Sequence, residues 1–267
     1  MGQEITSYDA QLAEMAARYA EQEQLSGGTF LSTRGGTLSF GDTVMPGNQA
    51  CVIVLDAVKE NTYYPDDFDP DTPAAPRCYA FGRDNDVMGP HPSMQLDLNY
   101  FKPQAVDCSG CSFNEWGSAD KGRGKACQNR RRLALVPAGY YSPKRGSRDF
   151  DLEIFTDPDH YKKSDIAFIK LPVLSVKNWS KYVTQIANSI HRPPQGVITR
   201  LYVEPDPKAQ YAVHFEMIDE VPAEVLAIVL SRFEEAAKGI IQGYKPPEEK
   251  DNTPRPQGSL RGLRGQR

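Results

Sequence analysis

No stretch of this chain stays apolar for the roughly 18–20 residues a membrane-spanning helix needs. The densest run, Val225 to Leu230, is six residues long, so no membrane association is expected. Histidine is scarce: His91, His160, His191 and His214 are the only four, scattered with no evident catalytic partner. GxSxG, HExxH and the Rossmann glycine pattern are all missing. Gly122-Arg-Gly124-Lys125 lacks the spacer and the following Ser or Thr of a phosphate-cradling loop. Asp107 rather than proline precedes Cys108, so the P-C-x-x-C half of the zinc-deaminase signature is absent. No catalytic constellation emerges, and the expectation is a protein that is not an enzyme. The opening MGQEITSYDA has neither a basic start nor an apolar core, so no secretory signal is expected, and the default location is cytoplasmic.

What the chain has is length and a segregated charge. Its 267 residues suffice for a sizeable core without disulfide staples. The net charge of −4, from 31 basic and 35 acidic residues, excludes a globally basic, histone-like polymer. The sum hides an island. Residues 121–148, KGRGKACQNRRRLALVPAGYYSPKRGSR, carry nine basic residues and no acidic one, which leaves the remainder at −13. Such an island on an acidic chain marks a surface for a polyanion. Phe113, Trp116, Tyr140 and Tyr141 lie beside it. Cations for phosphates, interleaved with rings on which bases stack, are the physics of single-stranded nucleic-acid binding. The candidate phosphate contacts are Lys121, Arg123, Lys125, Arg130, Arg131, Arg132, Lys144 and Arg145. The candidate stacking rings are Trp116, Tyr140 and Tyr141.

Five cysteines are present. Cys108-Ser-Gly-Cys111 is a CxxC, and Cys127 follows after fifteen intervening residues. That is zinc-ribbon spacing short of its last thiol: two sulfurs at a knuckle share one tetrahedral Zn²⁺ with a distant third. Cys78 is the first candidate for the fourth ligand and His91 the second. Cys51, inside the run ACVIVL, reads as a small core residue. A structural Zn²⁺ would also order residues 82–130, which have few periodic apolar positions. A thioredoxin-like redox pair would instead sit between a strand and a helix.

Periodicity sketches the rest. Residues 8–25 read as a helix, Thr29–Phe40 as a hairpin around Gly35-Gly36, and Ala50–Ala57 as a buried strand. Residues 60–76 read as an exposed loop. Arg77–Phe81, Arg132–Val136 and Asp165–Leu174 have strand character. Trp179, Tyr182, Val183, Ile186 and Ile190 share one face of a helix over 176–190, with Ser175 as its cap. Val197–Glu204 and Tyr211–Ile218 form a hairpin. Val221–Lys238 reads as one helix, with Pro222 in its first turn and Gly239 as its stop. The expected class is α+β: an OB-fold-like five-stranded barrel with a zinc-stapled insertion, an N-terminal helix and a C-terminal helix. The expected division is an N-terminal helix over 1–27, a binding core over 28–240 with the insertion at about 78–130, and a disordered tail over 241–267.

The string CSGCSFNEWGSADKGRGKACQNRRRLALVP resembles a segment of phage-encoded zinc-containing proteins that bind single-stranded DNA. In these a CxxC, a Trp-Gly-Ser, a Gly-Lys-Ala-Cys and an arginine-rich strand follow in that order. The resemblance implies Cys108, Cys111 and Cys127 as zinc ligands and is compatible with Cys78 as the fourth. It implies an OB-fold that coats single-stranded DNA in phage replication or recombination, with replication or recombination proteins as further partners, in the host cytoplasm. One feature departs from it: many such proteins end in an acidic tail, whereas from Lys245 onward this chain has six basic and three acidic residues. Two other classes stand beside this reading. One is a DNA-processing nuclease using the acidic stretch DDFDPD at 66–71; the other is a zinc-stapled regulator that binds a protein.

Overall fold

The computed structural model describes residues 30–66, 74–83 and 87–247. The helix expected over 8–25, most of the acidic stretch at 66–71 and the tail from residue 248 lie outside the described residues.

A long run of β-branched and apolar residues, buried on both sides, organises the molecule. It lies in β4 (Gln49–Tyr63), which pairs antiparallel along most of its length with the equally long β6 (Cys127–Pro143). Side chains alternate across a strand. Ala50, Val52 and Val54 therefore enter one core with Leu133 and Leu135, while Cys51, Ile53 and Leu55 enter a second with Ala134, Val136 and Ala138. The register of β4 against β6 shifts between Val54 and Asp56. The extra residue inverts the alternation, so Val58 joins the core of Leu55 while Ala57 packs against the other. Everything beyond this bulge, including Glu60, is aimed by it.

The other strands are β1 (Phe30–Ser32), β2 (Ser39–Phe40), β3 (Thr43–Val44), β5 (Cys78–Gly82), β7 (Phe150–Ile154), β8 (Ala167–Leu171), β9 (Val197–Asp206) and β10 (Gln210–Glu220). The sheet runs β10-β9-β4-β6-β8-β1-β2-β3, with β5 also on β4 and β7 also on β6. The class is α+β as expected, but the five-stranded barrel is corrected to an open sheet of ten strands among the described residues. β8 has β1 as its parallel neighbour, Phe30 opposite Phe168, and the path ends at β3 rather than returning to β10.

Helices cover both faces. α2 (Val176–Ile190) lays Trp179, Tyr182 and Ile186 on the first core, and burying an Ile there is worth about 1.5–3 kcal/mol. Its expected cap is corrected: the Ser175 hydroxyl accepts no bond from the helix and instead accepts the Val213 N–H at 2.9 Å. His191, left-handed at φ 54°, ends α2 ahead of two prolines. On the second face lie α1 (Pro158–Lys163), α3 (Ala223–Ser231) and α4 (Phe233–Ile240).

The single helix expected over 221–238 is thus two, broken at Arg232. The Arg232 guanidinium reaches the carbonyls of Tyr161 at 2.9 Å and Ser164 at 2.6 Å, a cation at the C-terminal end of α1. Gly239 is not a stop. It lies inside α4, where a Cβ would come within 2.7 Å of the Phe168 ring. The loop expected over 60–76 begins later than expected, because Glu60 to Tyr63 are still strand. The segment after β5 has its own small core of Tyr79, Met94 and Phe101, so its order does not depend on a metal alone.

Candidate metal centre and nucleic-acid interface

The ends of three strands set two of the thiols. Tyr63, the last residue of β4, has Cys78 of β5 opposite it on one side and Cys127 of β6 on the other. Directly opposed residues point to the same face. The CxxC folds over this end. The Cys108 N–H donates to the Met88 carbonyl at 2.8 Å, and Asp107 accepts the Gly110 N–H at 2.7 Å, shaping the knuckle. Cys78, Cys108, Cys111 and Cys127 all line one cavity of about 20 Å³, closed in part by Tyr63 and Phe113, whose rings lie 4.3 Å apart. Residues 49 positions apart in the chain thus meet at one small void, and all four are free thiols.

Burial pushes the Cys127 thiol up to about 12, and the neighbouring Cys108, Cys78 and Cys111 add to the rise. Burial likewise raises Cys78 and Cys108, each moderated by a hydrogen bond, from the Gln104 backbone and from Asn61. Four thiols around one small, partly enclosed cavity disfavour several negative charges at once. A divalent cation removes that conflict, because it is bound by thiolates. Among the described residues no three His, Cys, Asp or Glu side chains already surround a common point as metal ligands; the convergence is at the level of the cavity. His91 is turned elsewhere. Its Nδ1 is 2.8 Å from Ser93 Oγ and its ring stacks on Tyr79. Cys51 lies in the second core, with its thiol raised to about 12 by burial.

Sequence reasoning missed Asn114. Its Nδ2 donates to the Cys108 carbonyl at 2.7 Å, and its Oδ1 accepts from Lys125 at 3.2 Å and Asn129 at 3.0 Å. Asn129 donates in turn to Asn61 at 2.8 Å. This chain of amides ties the knuckle to β4 and β6. Its only sequence signal was an Asn three residues beyond the CxxC.

The basic segment does not form one groove. Its middle is β6, and twelve residues of strand separate Cys127 from Tyr140, at most about 43 Å at the extended rise. Lys121, Arg123, Lys125 and Trp116 sit at one end, on the loop beside the cysteine cavity. Trp116 is 80% exposed, with the Lys125 ammonium 5.7 Å from its ring centre. Lys121 and Arg123 are exposed. The loop is pinched shut by the Gly117 N–H on the Gly124 carbonyl at 2.9 Å.

Tyr140, Tyr141, Lys144 and Arg145 sit at the other end. There β7 brings acid against them: Tyr140 donates to Glu153, and Lys144 lies 3.8 Å from Asp151. The bond to Glu153 holds the Tyr140 hydroxyl above its usual value. Tyr141 packs against the second core.

The three central arginines diverge. Arg130 is half-buried and bonded to Gln128; Arg131, on the other face, stands opposite Leu171. Arg132 is corrected outright as an open phosphate contact. It is 2% exposed and ion-paired to Glu60, which is fully buried. Arg132 also donates at 3.0 Å to the carbonyls of both Ile240 and Gln242. The charge that neutralises it lies on a strand 72 residues away.

Comparison with protein-family models, with curated proteins and with solved structures finds no match to this chain.

Proposed function

We propose that this protein is a non-enzymatic, zinc-stapled binder of single-stranded DNA, with its primary contact on the loop from Trp116 to Lys125. The observation that carries the reading is Trp116. A large ring left 80% exposed beside Lys125, on a loop that also holds Lys121 and Arg123, offers a stacking platform within reach of phosphate-pairing cations. A Zn²⁺ held by Cys78, Cys108, Cys111 and Cys127 would fix that loop to the ends of β4, β5 and β6. Four sulfur donors suit a closed, structural tetrahedral site with no open position for catalysis. The chain order also supports an OB-fold ancestry: β4, β6, β8, α2, β9 and β10 follow one another, and the sheet order β10-β9-β4-β6-β8 is that of an OB barrel opened between its third and fifth strands.

A second reading rests on a separate observation. Val87, Leu96 and Val106 are 79%, 88% and 93% exposed on the segment before the CxxC. Apolar side chains so placed favour a protein partner docked beside the metal centre. A gel shift with labelled single-stranded oligonucleotides, with and without Mg²⁺, separates the readings. Retention without cleavage supports the proposal, cleavage indicates a nuclease, and no shift leaves the protein-docking reading.

A further inference from the structure

The C-terminal end of the described chain lies across a polar, aromatic face of β4, β6 and β8. Residues 241–247 leave α4 and cross this face with one ring inserted. Tyr244 donates to Glu60 at 2.6 Å and accepts from Lys170, whose ammonium also lies 4.4 Å from the Tyr244 ring centre. The ring meets Tyr79 edge-on at 5.0 Å. Arg132 holds the backbone of the same segment through the Gln242 carbonyl, while its guanidinium lies 4.3 Å from the Phe81 ring centre.

Two features set this contact apart from ordinary anchoring of a chain end. First, the segment presents to Arg132 and Lys170 an acceptor oxygen and a π-face. Those are the two things a nucleotide presents, as phosphate oxygen and as base. Second, the face is incompletely satisfied. Among the described residues, the buried side-chain polar atoms without a hydrogen-bond partner are Glu60 Oε2, Thr62 Oγ1, Arg130 Nε and Arg132 Nε. All four belong to this stretch of β4 and β6, where Glu60 pairs in register with Arg130. Leaving a buried polar group unpaired costs about 1–3 kcal/mol, and a cluster of such groups calls for a missing occupant or an alternative arrangement.

We propose that residues 241–247 are a displaceable strap standing in for nucleic acid, and that a single strand takes their place on the Arg132–Lys170–Phe81 face. A phosphate replaces the Gln242 carbonyl on Arg132, and a base replaces the Tyr244 ring. A base N–H supplies the donor that Glu60 Oε2 lacks. This rests on the single-strand-binding reading above and extends it: the Trp116 loop captures the strand, and displacement of the strap opens a second, deeper contact.

The test is a reversible staple. A Cβ on Gly243 would lie 3.3 Å from the Ser93 Cβ, close to the 3.5–4.5 Å of a disulfide. The same Cβ would lie 2.8 Å from the Tyr79 hydroxyl, so the variant is Ser93→Cys/Gly243→Cys in a Tyr79→Phe background. Binding of a fluorescein-labelled oligothymidylate is measured for the oxidised and reduced forms, with wild type taken through the same cycle as baseline. The oxidised staple should weaken binding at least tenfold, and reduction should restore it. In wild type, hydrogen exchange at residues 242–245 should speed up when the oligonucleotide is added. Equal binding by the stapled and reduced forms, or undiminished protection of 242–245 in the complex, overturns the strap while leaving the single-strand reading intact. No binding by wild type or by the reduced variant overturns both.

Discussion

The Arg132 guanidinium donates to the carbonyl of Ile240, 108 residues further along the chain, at 3.0 Å. One side chain therefore joins the middle of β6 to the end of α4, and it does so as the partner of a fully buried Glu60. Arg132→Ala removes one of the two cations beside that carboxylate, leaving Lys170 at 3.6 Å and the Tyr244 hydroxyl, and frees two carbonyls. The expected loss is about 3–5 kcal/mol of folding stability, read from the midpoint of urea unfolding at unchanged slope. Arg123→Ala, on the exposed loop, should change stability by no more than about 0.5 kcal/mol. Similar midpoints for the two variants would refute the assignment.

Glu60 gives a pH signature of the same cluster. Burial alone would raise its carboxyl, but Lys170 and Arg132, with the hydrogen bonds from Tyr244 and Arg132, hold it below its usual value. A carboxyl lowered in the folded state contributes stability that is present above its unfolded value, about 4.3, and is lost as pH falls through the folded one. Wild type should therefore exceed Glu60→Gln in stability at pH 7, and the gap should close as the pH drops below about 4. Because the other carboxylates are common to both proteins, the difference between their unfolding free energies isolates Glu60. A gap that stays constant from pH 7 to pH 3 would show that Glu60 is not ionised in the fold.

How far the sequence reached follows from where each partner lies. The run ACVIVL, the helix over 176–190 and both strands of the 197–220 hairpin were legible because each carries its own apolar period. Glu60 to Tyr63 and Cys127 to Arg131 were not, because these polar strand ends are held by each other across the sheet. The convergence of Cys78 with the CxxC was signalled by thiol chemistry rather than by periodicity. The basic island misled for a related reason. A window along the chain counts nine cations without an acid, but the sheet sets Glu60 against Arg132 and the acids of β7 against Tyr140 and Lys144. Charge cancels across strands that no window can see.

The cysteines separate by what they line. Purified wild type should carry about one equivalent of Zn²⁺, and Cys78→Ser or Cys127→Ser should lose most of it by metal analysis. Cys51→Ser should keep its full zinc content yet lose about 1–3 kcal/mol of stability, since it places a hydroxyl in an apolar core. His91→Ala should also keep its zinc, because its ring lies on Tyr79 and Phe81. Zinc lost from His91→Ala but kept in Cys78→Ser would exchange the fourth ligand.

Trp116 and Tyr141 test the interface by opposite signatures. Trp116 is 80% exposed and packs into neither large core, so Trp116→Ala should melt within about a degree of wild type. If it is a stacking platform, the variant should lose about 1–3 kcal/mol of oligonucleotide affinity, a rise in Kd of about 5- to 150-fold. Tyr141→Ala should do the reverse, lowering the melting temperature by opening space beside Leu152 and Ile154 in the second core with little change in affinity. Tyr140, whose hydroxyl is already engaged by Glu153, should resemble Tyr141 in affinity and Trp116 in stability. Each variant yields a pair of numbers, melting temperature and Kd at fixed salt. Affinity should also fall with salt for every variant that still binds, with a log–log slope of about −0.7 per phosphate neutralised. Trp116→Ala binding as tightly as wild type at the same salt would remove the observation on which the proposed function stands.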